Sequence, residues 1–149
     1  MICECVLERT VDLEQSPRDM RVVIADSEFN VRRALTILLQ KQRGAAIAGY
    51  AASADDLLSL VARTQPDIIL LDNNLPGMMT SRLIYEVRRL SPALKIILLS
   101  IRPYEGGDVE VLDVDHFVSK VDGPERFVMA YDQCVQQTRC KNLEGKQKS

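Results

Sequence analysis

At 149 residues, with a formal net charge of -2, 27 % charged and 46 % hydrophobic residues, the chain has the length of one domain with a real core and the composition of a globular protein. That balance argues against direct nucleic-acid binding through a broad basic face, which needs clustered Lys and Arg, and leaves Arg32-Arg33 and Arg88-Arg89 as solvated helix faces. No apolar run approaches the roughly 20 residues of a membrane span, and Met1 to Glu14 is acidic where a signal peptide is basic and then apolar, so a cytoplasmic location without a membrane partner is the expectation.

Met1 to Met20 shows no sustained periodicity and reads as a leader (1–20), partly ordered or disordered. Arg21 to Ala25 is a short β-branched run stopping at Asp26-Ser27-Glu28, a strand end followed by a helix cap. Val31, Ala34, Leu35, Leu38 and Leu39 then recur at helical spacing up to Gly44. Ala45 to Tyr50 reads as a second strand. Ser53 caps a helix over Ala54 to Thr64, with Asp56 completing an acidic variant of the capping box. Pro66 and Pro76 bound the unbroken apolar run Ile68 to Leu71, which suits a strand covered on both faces, and Asp72 stands at its end.

Beyond the Leu75-Pro76-Gly77 turn, Leu83, Ile84, Val87 and Leu90 mark a third helix closed by Ser91-Pro92. Lys95 to Ser100 is a fourth strand of the same buried kind. Pro103 and Gly106-Gly107 leave room for only a short helix, about Asp108 to Leu112. His116 to Ser119 reads as a fifth strand running into Lys120. Gly123-Pro124 opens a last helix with Phe127, Val128, Tyr131 and Val135 facing the core, and 140–149 reads as a polar tail. The four cysteines, Cys3, Cys5, Cys134 and Cys140, fit neither a secreted disulfide framework nor a strong zinc site and read as reduced thiols.

Five strands alternating with helices predict right-handed crossovers and an α/β three-layer sandwich, doubly wound around a five-stranded parallel sheet. Ligand chemistry in such sheets gathers at the carboxyl ends of the strands. Asp26, Asp72, Ser100 and Lys120 all fall there. In the flavodoxin-like order 2-1-3-4-5 the crevice lies between the first and third strands, bringing together Asp26 and Asp72, a pair of carboxylates suited to an oxygen-ligated divalent cation. A hydroxyl and an ammonium group beside them would complete a cradle for a phosphoryl group.

These residues, in this order and near this spacing, resemble the receiver domain of two-component response regulators over 21–139. The resemblance implies a phosphoacceptor at Asp72, in Asp-Ile-Ile-Leu-Leu-Asp-Asn-Asn-Leu-Pro-Gly, supplied by a histidine kinase or phosphotransfer protein. It implies Mg2+ held by Asp26, Asp72 and the backbone carbonyl of Asn74, a phosphoryl-contacting Lys120, and switch residues Ser100 and Phe117. The output would be a conformational signal to a downstream protein, with a homodimer as one form of assembly, and not an enzymatic activity of its own.

The departures are specific. Ser27 stands where the family usually has a second acid that touches the metal, so Mg2+ is expected to bind weakly. Met79-Thr80 replaces a frequent Asp-Gly pair, Val121 replaces a frequent proline with its cis peptide bond, and the helix near Asp108 is short. One alternative is therefore a pseudo-receiver, an interaction module with weak or no phosphorylation. Another is a phosphatase with Asp72 as nucleophile, against which Asn74 counts, since such enzymes carry a second Asp two residues on. A flavin-binding version of the fold lacks a phosphate-cradling loop after the first strand.

Overall fold

The computed structural model describes residues 19–101 and 112–147. The strands are β1 (Met20–Ala25), β2 (Ala45–Ala51), β3 (Ile68–Asp72), β4 (Lys95–Ser100) and β5 (His116–Ser119). The helices are α1 (Phe29–Gln40), α2 (Ala54–Thr64), α3 (Thr80–Leu90) and α4 (Pro124–Gln147). The strands form one five-stranded sheet in the order β2-β1-β3-β4-β5, every pairing parallel. This is the doubly wound, flavodoxin-like arrangement that the alternation of elements predicts.

The apolar run of β3 follows from its place. It pairs with β1 on one side and β4 on the other, and Ile68, Ile69, Leu70 and Leu71 are fully buried. Successive side chains point to opposite faces, so the strand feeds two cores. Ile69 and Leu71 pack with Leu57, Val61, Leu83 and Val87 under α2 and α3. Ile68 and Leu70 pack with Leu35, Leu39, Phe127 and Tyr131 under α1 and α4. Each large side chain so buried contributes about 1.5–3 kcal/mol.

Local signals set the helix boundaries. Ser53 Oγ accepts a hydrogen bond from Asp56 N at 3.3 Å, the predicted cap of α2. Glu28, at the N-cap of α1, offers no side-chain bond; the turn is closed instead by Asp26, whose Oδ1 accepts from Glu28 N at 2.9 Å. Helix α4 runs on to Gln147, through residues read from sequence as a polar tail, because no proline interrupts Cys140 to Gln147 and most of those residues are good helix formers. Cys134 is buried and free, whereas Cys140, read as a reduced thiol, is disulfide-bonded. The short helix expected near Asp108 and the leader up to Arg18 lie outside the described residues, except that Leu112 packs on the α2–α3 side of the core.

Candidate functional site at the carboxyl ends of the strands

The order of the sheet sets β1 and β3 side by side, with Ala25 opposite Leu71, so Asp26, just past β1, and Asp72, the last residue of β3, lie at the ends of neighbouring strands. Both carboxylates are buried, as is Ser100. Lys120, which follows β5, reaches back across the sheet. Its Nζ lies 2.7 Å from Asp26 Oδ2 and 2.9 Å from Asp72 Oδ1. One ammonium thus joins the ends of three strands, and the carboxylates hold it in return. Burial alone would lower the lysine pKa, but the hydrogen bonds from both aspartates and their charges outweigh it and leave the pKa raised.

The supporting contacts fix the backbone around these groups. Arg32 Nη1 donates to the Asp26 carbonyl at 2.6 Å. Asn73 N donates to Leu99 O at 2.8 Å, which ties the loop after β3 to β4. Thr80 Oγ1 donates to Asn73 O at 2.5 Å, and Ala54 N donates to Pro76 O at 2.8 Å. The Met79-Thr80 pair therefore closes the turn after Asp72 by a threonine hydroxyl, while Met79 itself is exposed. Gly77, at φ +107°, supplies a backbone conformation that side chains rarely adopt.

The remaining predicted residues take distinct places. Ser100 ends β4 opposite Ser119, and its carbonyl accepts from Lys120 N at 2.7 Å. Phe117 is half-buried against the α2–α3 side of the core. Asn74 and Ser27 are exposed. There is no cis peptide bond among the described residues, as expected from Val121; instead Val121 N donates to Ser119 Oγ at 3.3 Å. Sequence reasoning gave Ser119 no role beyond its strand, took Arg32 for a solvated charge and Thr80 only for a departure in the turn, whereas Arg32 and Thr80 bond to the backbone of Asp26 and Asn73. A serine directly before the strand-end lysine, with a non-proline two places on, was the available signal for the first.

The donor set is all oxygen, the kind a hard divalent cation takes. Asp26 and Asp72 offer two carboxylates side by side, now bridged by Lys120; no group of three or more His, Cys, Asp or Glu side chains suited to a metal exists among the described residues. The residues fit Mg2+ with one charged ligand fewer than a site with a second acid at position 27.

A parallel sheet in this order with two carboxylates and a lysine at its carboxyl rim is a doubly wound α/β domain with its polar cluster where such folds place their sites. The chain belongs to the response regulator receiver domain family, whose model matches residues 22–132. It is 30 % identical over 115 residues to a protein-glutamate methylesterase/protein-glutamine glutaminase of Treponema pallidum, covering 74 % of this chain and 28 % of that protein. It is 26 % identical over 113 residues to the sensory transduction protein LytT of Oceanobacillus iheyensis, covering 74 % of this chain and 46 % of that one. The chain thus spans less than half the length of these relatives. Among solved structures, the isolated receiver domain of RcsB from Salmonella enterica superposes with a TM-score of 0.72 at 22 % identity, over 77 % of this chain and 87 % of that one. A LuxR-family two-component response regulator from Aurantimonas superposes with a TM-score of 0.71 at 23 % identity, over 77 % and 84 %.

Proposed function

We propose that the chain receives a phosphoryl group on Asp72 from the phosphohistidine of a kinase or phosphotransfer protein, and passes a conformational signal to a downstream protein. The single observation that carries this reading is the ammonium of Lys120 between Asp26 and Asp72, at 2.7 and 2.9 Å. In the step, an Asp72 oxygen attacks phosphorus, the P–N bond to the donor imidazole breaks, and the imidazole leaves with the bonding electron pair and takes up a proton. Lys120 is placed to pair with the phosphoryl oxygens as charge arrives. Asp26, Asp72 and the Asn74 carbonyl would hold Mg2+, which neutralises phosphoryl charge when bound. Ser100 and Phe117 would then respond as switch residues.

The domain would extend over 21–139, act in the cytoplasm, and signal by conformation without catalysing a reaction on another substrate. Exposed Phe29, Met79, Ile101 and Val121, following β1, β3, β4 and β5 respectively, give the crevice an apolar rim on which a donor protein could settle.

Incubation with Mg2+ and a small phosphodonor tests the assignment. The expected result is an acid-stable, base-labile mass increase that vanishes in Asp72→Asn. No gain at any metal concentration would favour the pseudo-receiver instead.

A further inference from the structure

We propose that Ser119 is a positioning residue for Lys120, acting through a hydroxyl–amide turn. Lysine is a poor group to hold in place: its ammonium rides on a flexible four-carbon stem with about 2 kcal/mol of rotamer entropy. Lys120 nevertheless keeps its Nζ within hydrogen-bond distance of carboxylates on two other strands, which requires a fixed point of departure for the stem.

Three bonds supply it. Lys120 N donates to Ser100 O at 2.7 Å and Asp122 N to Ser119 O at 3.2 Å, which closes a reverse turn over residues 119–122. Within it, Val121 N donates to Ser119 Oγ at 3.3 Å. The hydroxyl is therefore used one residue before the lysine to hold the amide one residue after it. The Val121 side chain is 70 % exposed, whereas Ser119 is 6 % exposed, so what position 121 contributes inward is its N–H, the group a proline lacks. A short polar side chain bonding its own backbone two residues on is a common means of fixing a turn. Here the turn aims a charged group at a site. Ser119 and Lys120 also line a cavity of about 300 Å³ with Leu35, Leu99, Val118 and Phe127, so the turn has open space on that side and depends on its own bonds to keep its shape.

The consequence for phosphoryl transfer rests on the reading of Lys120 given above; the aiming of Lys120 does not. The test is competitive acylation of the folded chain at pH 8 with a small amine-reactive ester, with each lysine followed by peptide mass. Lys95, 3.7 Å from Asp115, serves as the internal standard. In Ser119→Ala the Lys120 rate rises about threefold or more, roughly 0.65 kcal/mol of lost hold on the ammonium, with Lys95 unchanged. Ser119→Thr, which keeps the hydroxyl, restores the wild-type rate. Ser119→Val, which matches the threonine variant in size but lacks the hydroxyl, behaves as Ser119→Ala and serves if the alanine variant does not fold. Equal Lys120 rates in Ser119→Ala and wild type overturn the proposal, as does an equal rise at Lys95, which marks general loosening. Acylation needs no phosphorylation, so even a chain that never accepts phosphate reveals whether Ser119 holds the lysine.

Discussion

Lys120 does two things at the level of single residues. It neutralises a buried pair of carboxylates that would otherwise repel each other, and it ties the last strand to the first and third. Removing one member of a buried ionic group leaves the others without compensation, so Lys120→Met is expected to destabilise by about 3 kcal/mol, measured by urea unfolding at pH 7. Because its folded pKa is raised, the lysine stabilises fully below the unfolded lysine value, and this contribution is lost as pH rises through the folded value. His116 works in the opposite sense. Burial lowers its pKa; Asp115 opposes and Lys95 adds to the shift, and its Nε2 is buried without a hydrogen-bond partner among the described residues. Its contribution is complete above the unfolded imidazole pKa of about 6.5 and is lost as pH falls through the folded value. Relative to His116→Asn, the wild type should therefore lose stability between pH 7.5 and 5.5; a constant difference in unfolding midpoint across that range would contradict this.

Between elements, the connection into β5 is held by Arg88. From the last turn of α3 its guanidinium donates to Leu94 O at 2.5 Å, to Asp113 O at 3.0 Å and to Asp115 Oδ2 at 3.0 Å, and that same carboxylate oxygen accepts from Ile96 N at 2.8 Å. Arg88 is not the free, solvated charge its sequence setting implies. Its side chain is 17 % exposed, and Arg88→Ala is expected to cost about 1.5–3 kcal/mol, the range for hydrogen bonds to charged groups, while Arg89→Ala on the exposed face costs little; thermal unfolding of the pair separates them. Sequence periodicity places Arg88 on a helix but carries no record of a partner 27 positions away. Elsewhere the periodicity was sufficient. Ala54–Thr64, Lys95–Ser100 and His116–Ser119 match their predicted bounds, because Ser53, Pro92 and Lys120 punctuate them in the chain itself. Helix α4 overran its expected end for the converse reason, the lack of a local stop.

For the molecule as a whole, one arrangement explains why the site was legible before its geometry was known. A doubly wound sheet sends every strand's carboxyl end to one rim, so polar residues that look scattered at positions 26, 72, 100 and 120 are neighbours by topology. What topology does not encode is which backbone groups close the turns between them, and Thr80, Arg32 and Ser119 became visible only with distances. The apolar rim yields a prediction at this scale. Phe29→Ala combined with Met79→Ala should slow phosphoryl transfer from a donor protein by about tenfold, the effect of some 1.4 kcal/mol of lost contact, while leaving the rate from a small phosphodonor unchanged; equal slowing of both would place the defect in the site and not in docking.

The pairing of β1 with β2 shifts register between Val22 and Val23, and near this irregularity Gly49 leaves space that Leu60 fills, since a Cβ at Gly49 would lie 2.8 Å from a Leu60 methyl. The outer strand thus carries one extra residue, Ala48, at this point. A bulged edge is a poor template for a foreign strand, and β5, the other edge, offers only four residues. The flanks of the sheet are thereby poor sites for adding further strands, and colloidal stability at high concentration becomes a property of the backbone as much as of surface charge.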